Sequence, residues 1–205
     1  MIAYGWILVK NHKIERLLSQ ICRLPSMGSR SALRIVLHLL RHKETVLSQL
    51  ISSLNEIKDN IVECDICNNI DTCNPCSICC DHARDSSTMC VVSDIADLWA
   101  IENAGFYNGK YHVLGNKLSA VSGITPDDID INGLHKRTNT PEIKEVIIAL
   151  SADLDGQTTM FYIKDRLSDS DVKITTLSHG VPIGSDLEYL DNGTIITAFN
   201  QRHII

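Results

Sequence analysis

Six of the eight cysteines lie between Cys64 and Cys80, and four of them form two knuckles, Cys64-x2-Cys67 and Cys76-x2-Cys79, separated by eight residues. A pair of thiolates two residues apart turns both sulfurs toward one ion, and two pairs complete the tetrahedral four-thiolate shell preferred by structural zinc. Four thiolates leave no open position for a water. The chemistry expected is therefore that of a fastener, one structural Zn2+ holding a loop without an apolar core of its own. Cys73 and Cys80 lie in the same loop, and Cys73-x2-Cys76 is a further knuckle, so the ligand register has alternatives. Ile66 before Cys67 and Ile78 before Cys79 make two matching knuckles and favour the set Cys64, Cys67, Cys76 and Cys79. Cys22 and Cys90 sit in helix-patterned and strand-patterned surroundings and read as small buried apolar residues.

A second chemistry is carried by cations. Residues 1–60 hold nine Lys or Arg against four Asp or Glu, whereas the whole chain of 205 residues has a net charge of -6. Between Lys10 and His42, the cations Lys10, Lys13, Arg16, Arg23, Arg30, Arg34 and Arg41 face one acid, Glu15. Such a run is a footprint for a polyanion, or else simply a solvated helical face. Other constellations are weaker. Ser178-His179 with Asp186 lacks the strand-turn-helix elbow of a nucleophilic serine, and no Gly-rich loop ending in Lys-Ser or Lys-Thr offers to bind a nucleotide. His38 and His112 fall within helix and strand patterns and read as satisfied core or surface histidines rather than ligands.

These groups must be positioned by elements. Ile14, Leu17, Leu18 and Ile21 recur at helical spacing, and Leu24-Pro25-Ser26-Met27-Gly28 ends that pattern as a turn. A second helix follows with Ser29 as its expected N-cap, running through Ala32, Ile35, Val36, Leu39 and Leu40. A third is expected on Val46, Leu47, Leu50, Ile51, Leu54 and Ile57. Beyond the cysteines, β-branched runs at Met89–Ser93, Tyr111–Leu114, Glu145–Leu150 and Lys173–Leu177 alternate with helical stretches at Asp94–Asn103, Pro126–Lys136, Gly156–Leu167 and Asn192–Arg202. Alternation of this kind predicts an α/β fold with a mainly parallel sheet covered by helices. The expected organisation is 1–60 helical, 61–85 metal finger, 86–183 sheet domain and 184–205 a C-terminal helical segment.

With 44% hydrophobic and 21% charged residues the composition is that of a folding globular chain, not a disordered one. No apolar run approaches the about 18 residues of a membrane span, and Met1–Val9 lacks a basic leader and a small-residue cleavage site, so a cytoplasmic protein is expected.

Taken in order, three blocks resemble one family. Leu24-Pro-Ser-Met-Gly-Ser-Arg-Ser-Ala-Leu-Arg-Ile-Val-Leu-His-Leu-Leu40 is similar to the helix-hairpin-helix of the bacterial recombination mediator RecR, and the x2, x8, x2 cysteine spacing matches that family's finger. Cys90-Val-Val, Tyr111-His-Val-Leu-Gly-Asn-Lys-Leu-Ser119, Asp155-Gly-Gln-Thr-Thr159 and His179-Gly-Val-Pro-Ile-Gly184 resemble its Toprim and C-terminal segments. The resemblance covers nearly all of the chain beyond Lys13.

It implies a non-enzymatic protein of recombinational DNA repair in the bacterial cytoplasm, nucleoid-associated during repair. It also implies a ring-like homo-oligomer, dimer or tetramer, that binds DNA without regard to sequence. Such a protein works with RecO and RecF to load recombinase on gapped DNA. Arg30 and Arg34, four apart on one helical face, align with the family's DNA-contacting positions, and Arg23, Arg16 and Lys13 extend the patch. Ser26 stands where the family usually has Gly, a departure that costs strain if the turn requires positive φ.

The competing reading is a Mg2+-dependent Toprim nuclease or primase-like enzyme, whose carboxylates would hold the metal. Ser93 stands where such a site needs Glu, and the later acidic set reads Ser151, Asp153 and Asp155. The remaining carboxylates Glu102, Asp153 and Asp155 are expected to serve a partner-binding surface or to cap helices, with Asp155 as an N-cap. The loop after His179 is expected at a subunit contact.

Overall fold

The computed structural model describes residues 11–178, 180–182 and 184–201. Residues 1–10, His179 and Arg202 lie outside the described residues, and with them the expectations placed on the N-terminal segment, on His179 and on the last residue of the C-terminal helix. The chain divides between Asn60 and Ile61 into two compact units.

In the first unit, α1 (His12–Ile21) opens on Asn11, whose side-chain oxygen accepts from the backbone N–H of Lys13 at 3.0 Å and of Ile14 at 3.4 Å. Leu18 from α1 packs with Ala32 and Val36 of α2 (Ser29–Arg41), and Ile14, Leu17, Ile21, Met27 and Leu40 close the edges of this small core. Between the helices, Met27 N–H returns to the Leu24 carbonyl at 3.2 Å, so Pro25 and Ser26 occupy the centre of a tight turn. Ser26 sits there at φ +60. Proline first and positive φ second is the pattern of a type II turn, which favours glycine at the second place. The N-cap of α2 is Gly28 rather than the expected Ser29, because Gly28 already holds the extended backbone and its carbonyl accepts from Ala32 N–H at 2.9 Å.

The third helix is present with an altered start. A π-helical turn, Lys43–Leu47, precedes α3 (Ser48–Asn60). No residue of α3 is buried, and Leu50, Ile51, Leu54 and Ile57, with Val46 before them, present apolar side chains to solvent.

The second unit holds the finger and a four-stranded sheet. The short strands β1 (Val62–Glu63) and β2 (Ile70–Asp71) pair antiparallel around the first knuckle, and the one-turn helix α4 (Ser77–Cys80) follows the second. The sheet contains β3 (Asp85–Val92), β4 (Gly109–Val113), β5 (Glu145–Ala149) and β6 (Lys173–Thr176), all parallel, in the order β4-β3-β5-β6. Val92 is the Cα partner of both Val113 and Ala149, so three strands end in register.

Alternate residues of β3 explain why both faces are covered. Met89 and Val91 pack with Val146, Ile148, Leu134 and Ile163, placing α6 (Ile131–Thr138) and α7 (Leu154–Arg166) on one face. Cys90 and Val92 pack with Tyr111, Val113 and Leu98, placing α5 (Ile95–Ala104) on the other. The period of two along each strand sorts the apolar side chains into these two layers. Cys90 is 3% exposed, and burial pushes its thiol up to about 12, as a structural cysteine requires. Cys22, half-buried, packs at the edge of the core of the first unit.

Further boundaries differ from those expected. Strand β3 begins at Asp85 rather than Met89, with a register irregularity between the two. The helix expected over Pro126–Lys136 is broken, because Asp128 folds back to cap the N–H and hydroxyl of Thr125 at 2.8 Å, closing a single 3-10 turn, and Asp130 then starts α6 afresh. Asp155 is not the cap of α7. Asp153 is, accepting from Gly156 N–H at 2.7 Å, so the helix starts one residue before Asp155. The chain ends its described part with α8 (Asn192–Asn200). No helix among the described residues is long and apolar enough to cross a membrane.

Candidate metal centre and nucleic-acid interface

The sulfurs of Cys64, Cys67, Cys76 and Cys79 lie within 4.8 Å of one another. Two edges of the group, Cys64 to Cys79 at 3.9 Å and Cys67 to Cys76 at 3.5 Å, bracket the edge of about 3.8 Å that a tetrahedron of Zn–S bonds of about 2.3 Å requires. Cys73 and Cys80 are exposed and stand outside the group, and the Cys80 thiol instead donates to the Pro75 carbonyl at 3.5 Å.

Local backbone geometry explains the convergence. Asn68 adopts φ +61 just after Cys67, its N–H donates to the Cys64 carbonyl at 2.9 Å, and Cys64 N–H donates to the Asn69 carbonyl at 2.7 Å, which curls the first knuckle. In the second knuckle, Cys76 N–H donates to the Cys64 sulfur at 3.3 Å.

The thiols are electrostatically mismatched without a cation. Burial pushes Cys64 up, but three backbone N–H donors outweigh it and hold the thiol down at about 7. Burial raises Cys76 to about 11, and the neighbouring Cys79 sulfur together with burial raises Cys67. One thiolate in this cluster opposes the next, and a divalent cation resolves the conflict, so the donor set fits a metal ion.

The finger is fixed to the sheet. Val113 N–H at the end of β4 donates to the Cys67 carbonyl at 2.9 Å, and the Asn68 amide donates to the Val113 carbonyl at 2.8 Å and to Asp130 Oδ2 at 2.9 Å. The Lys110 ammonium donates to the carbonyls of Ile78, Cys79 and Asp81 at 2.8 to 3.1 Å, holding the second knuckle. Behind them His112, fully buried, places Nε2 2.8 Å from the Asp130 carbonyl while its Nδ1 faces the Arg137 guanidinium at 3.3 Å. Arginine can only donate, so Nδ1 accepts and Nε2 carries the proton. Burial lowers the His112 pKa to about 4, keeping the ring neutral.

In the first unit Lys13, Arg16, Arg23, Arg30 and Arg34 are all exposed. The one ion pair of this unit among the described residues, His12 with Glu15 at 3.4 Å, involves none of them. Gly28 has no side chain to cap the first N–H groups of α2, which therefore face the hairpin turn uncapped. A helix N-terminus with free N–H groups and adjacent arginines is suited to a phosphate.

The carboxylates are placed differently from one another. Glu102 on α5 receives both Nη atoms of Arg84, at 2.9 and 2.5 Å, and the Tyr111 hydroxyl at 2.7 Å. Asp153 and Asp155 lie at the start of α7, beyond the carboxyl end of the sheet. There the Lys117 ammonium donates to Asp153 Oδ2 and to Ser151 Oγ, each at 2.7 Å, and Ser93 donates to Asp97 Oδ2 at 2.7 Å. Ser93 and Ser151 bring no charge, and Lys117 brings the wrong sign, so this edge does not fit a Mg2+ site. Lys117 and the Arg84–Glu102–Tyr111 clamp escaped sequence reading. Their partners lie 9 to 36 residues away, and no local pattern marks them.

A helix-hairpin-helix in one unit, and in the other a four-cysteine finger clasped to a parallel Toprim-like sheet, define a Toprim-containing protein equipped to meet a polyanion. Family models match accordingly: the RecR helix-hairpin-helix over residues 14–58, the Toprim domain over 87–178 and the RecR C-terminal segment over 180–203. Curated relatives named recombination protein RecR include that of Brucella anthropi, 50% identical over 93% of this chain and 94% of its own. That of Novosphingobium aromaticivorans is 47% identical over 94% of this chain and 97% of its own, and one from Rhodopseudomonas palustris 48% over 96% and 98%. The chain belongs to the RecR family of recombination proteins.

Proposed function

We propose that this protein is a non-enzymatic DNA-binding component of recombinational repair in the bacterial cytoplasm, an oligomeric clamp that acts with RecO and RecF to help load recombinase on gapped DNA. The observation that carries the DNA-binding part is the exposed arginine pair Arg30 and Arg34, without an ion-pair partner among the described residues, beside the uncapped start of α2. Contacts of this kind go to phosphates, so binding is independent of sequence. Arg23, Arg16 and Lys13 extend the patch.

Zinc is the ion proposed for Cys64, Cys67, Cys76 and Cys79, with a structural role, because four thiolates close its shell. Self-association is supported by α3, whose apolar side chains at Leu50, Ile51, Leu54 and Ile57 have no cover within the described chain. For the partner surface we propose Asp153 and Asp155, at the open edge of the sheet. We propose Glu102 as a further partner-facing residue, its carboxylate already paired with Arg84.

The test is DNA binding by Arg30→Ala/Arg34→Ala. Each lost phosphate contact lowers the slope of log affinity against log salt by about 1, so two lost contacts per hairpin weaken binding about tenfold or more at low salt on every sequence tried. Binding equal to the parent's, with the same slope, would remove these residues from the interface.

A further inference from the structure

The carboxyl edge of the sheet carries a cation of its own. Val92 pairs in register with Val113 on one side and Ala149 on the other, so the loops that begin at Ser93, Leu114 and Leu150 leave the sheet side by side. Into this cluster the β4 loop sends Lys117, whose ammonium bridges Ser151 Oγ and Asp153 Oδ2. Its placement is not that of a wandering surface lysine. The next residue, Leu118, donates its N–H to the buried Thr159 hydroxyl of α7 at 2.9 Å, pinning the loop to the helix that Asp153 caps. The Lys117 side chain is 28% exposed, and Asp153 is held at about 2, first by Lys117 and then by Gly156 N–H.

We propose that the Lys117 ammonium is a tethered cation standing where a Toprim metal site would hold a divalent ion, and that it keeps such ions from this edge. The arrangement is self-contained. Asp97 accepts from Ser93, Asp153 from Lys117 and Gly156, and the ammonium offsets one carboxylate without any ion from solution. Removing a missing-ligand defect at Ser93 is then insufficient to restore ion binding, because an ion must also displace a lysine fixed at 2.7 Å from its carboxylate. Partner binding by this edge accordingly needs no divalent cation.

The experiment uses Mn2+ alone as the probe, titrated into the full-length protein and followed by loss of the free-ion signal in electron paramagnetic resonance. Ser93→Glu supplies the carboxylate that metal-binding Toprim edges have. It is expected to bind Mn2+ no more tightly than the parent protein. Adding Lys117→Met should tighten binding at least tenfold, and Ser93→Glu/Lys117→Arg, which keeps the charge, should return it to the level of Ser93→Glu alone. Thermal melting checks the fold of each variant, and Lys117→Gln, neutral and polar, replaces Lys117→Met if that variant melts early. Tight Mn2+ binding by Ser93→Glu alone, or no gain on neutralising Lys117, would overturn the proposal.

Discussion

At Cys73 and Cys80 the sequence leaves a choice that the placement of atoms removes, since both are exposed while the sulfurs of Cys64, Cys67, Cys76 and Cys79 converge. Spacing alone permits either register, because a CxxC knuckle fixes which sulfurs are neighbours but not which face they turn to. Cys73→Ser and Cys80→Ser should therefore retain about one metal ion per chain, whereas Cys64→Ala and Cys79→Ala should lose it and with it the order of the finger. Metal analysis of the purified variants decides, and a full complement in Cys79→Ala would point to a neighbouring thiol as ligand.

His112 shows what sequence could not carry. It was legible as a core or surface histidine rather than a ligand, but its partners, the Asp130 carbonyl and Arg137, lie 18 and 25 residues away. Burial lowers its pKa from 6.5 to about 4, so the unfolded chain binds a proton that the folded chain refuses. Stability is then complete above pH 6.5 and falls as pH drops toward 4, by about 1 kcal/mol at pH 5.5. Denaturant melts of the metal-loaded protein at pH 7.5 and 5.5 measure this, and His112→Gln should flatten the difference. An unchanged slope in that variant would assign the pH dependence elsewhere.

The elements were legible in proportion to how local their causes are. Helices α1 and α2 follow from apolar residues at three- and four-residue spacing with a Pro-containing turn between them, and the four strands from β-branched runs between helical stretches. Boundaries set by a single side chain folding back were not. Asp128 capping Thr125, and Asp153 rather than Asp155 capping α7, depend on which of several nearby acids reaches an N–H first.

The hairpin turn combines both cases. Its position was readable from Leu24-Pro25-Ser26-Met27-Gly28, but whether Ser26 is strained depended on its φ, which is +60. A residue with a Cβ pays about 1 kcal/mol or more there, part of which glycine gives back in the unfolded chain. Ser26→Gly should thus stabilise the protein by about 0.5 kcal/mol in denaturant melts. A loss of stability would mean that the serine hydroxyl supports the turn.

On the scale of the whole molecule, the division of charge is the feature that sequence and structure share most directly. The first 60 residues are basic and the remainder acidic, and the chain divides between Asn60 and Ile61. The basic unit exposes its arginines, and α3 exposes an apolar face on which the proposed assembly rests. In the proposed assembly, one hairpin neutralises few phosphates, whereas several held together add their contacts and raise both affinity and salt sensitivity. The size of such an assembly is not legible in composition, since that depends on how exposed faces of separate copies fit.

The central claim, that an oligomer of this chain holds DNA through its hairpins, is tested most directly by one measurement. DNA binding of the zinc-loaded protein is followed across a series from 50 to about 300 mM salt, with molar mass recorded by light scattering in the same buffers. The account predicts a multimer whose log affinity falls linearly with log salt, with a slope of about 4 or more from two or more hairpins together. A monomer that does not bind DNA even at the lowest salt would contradict it.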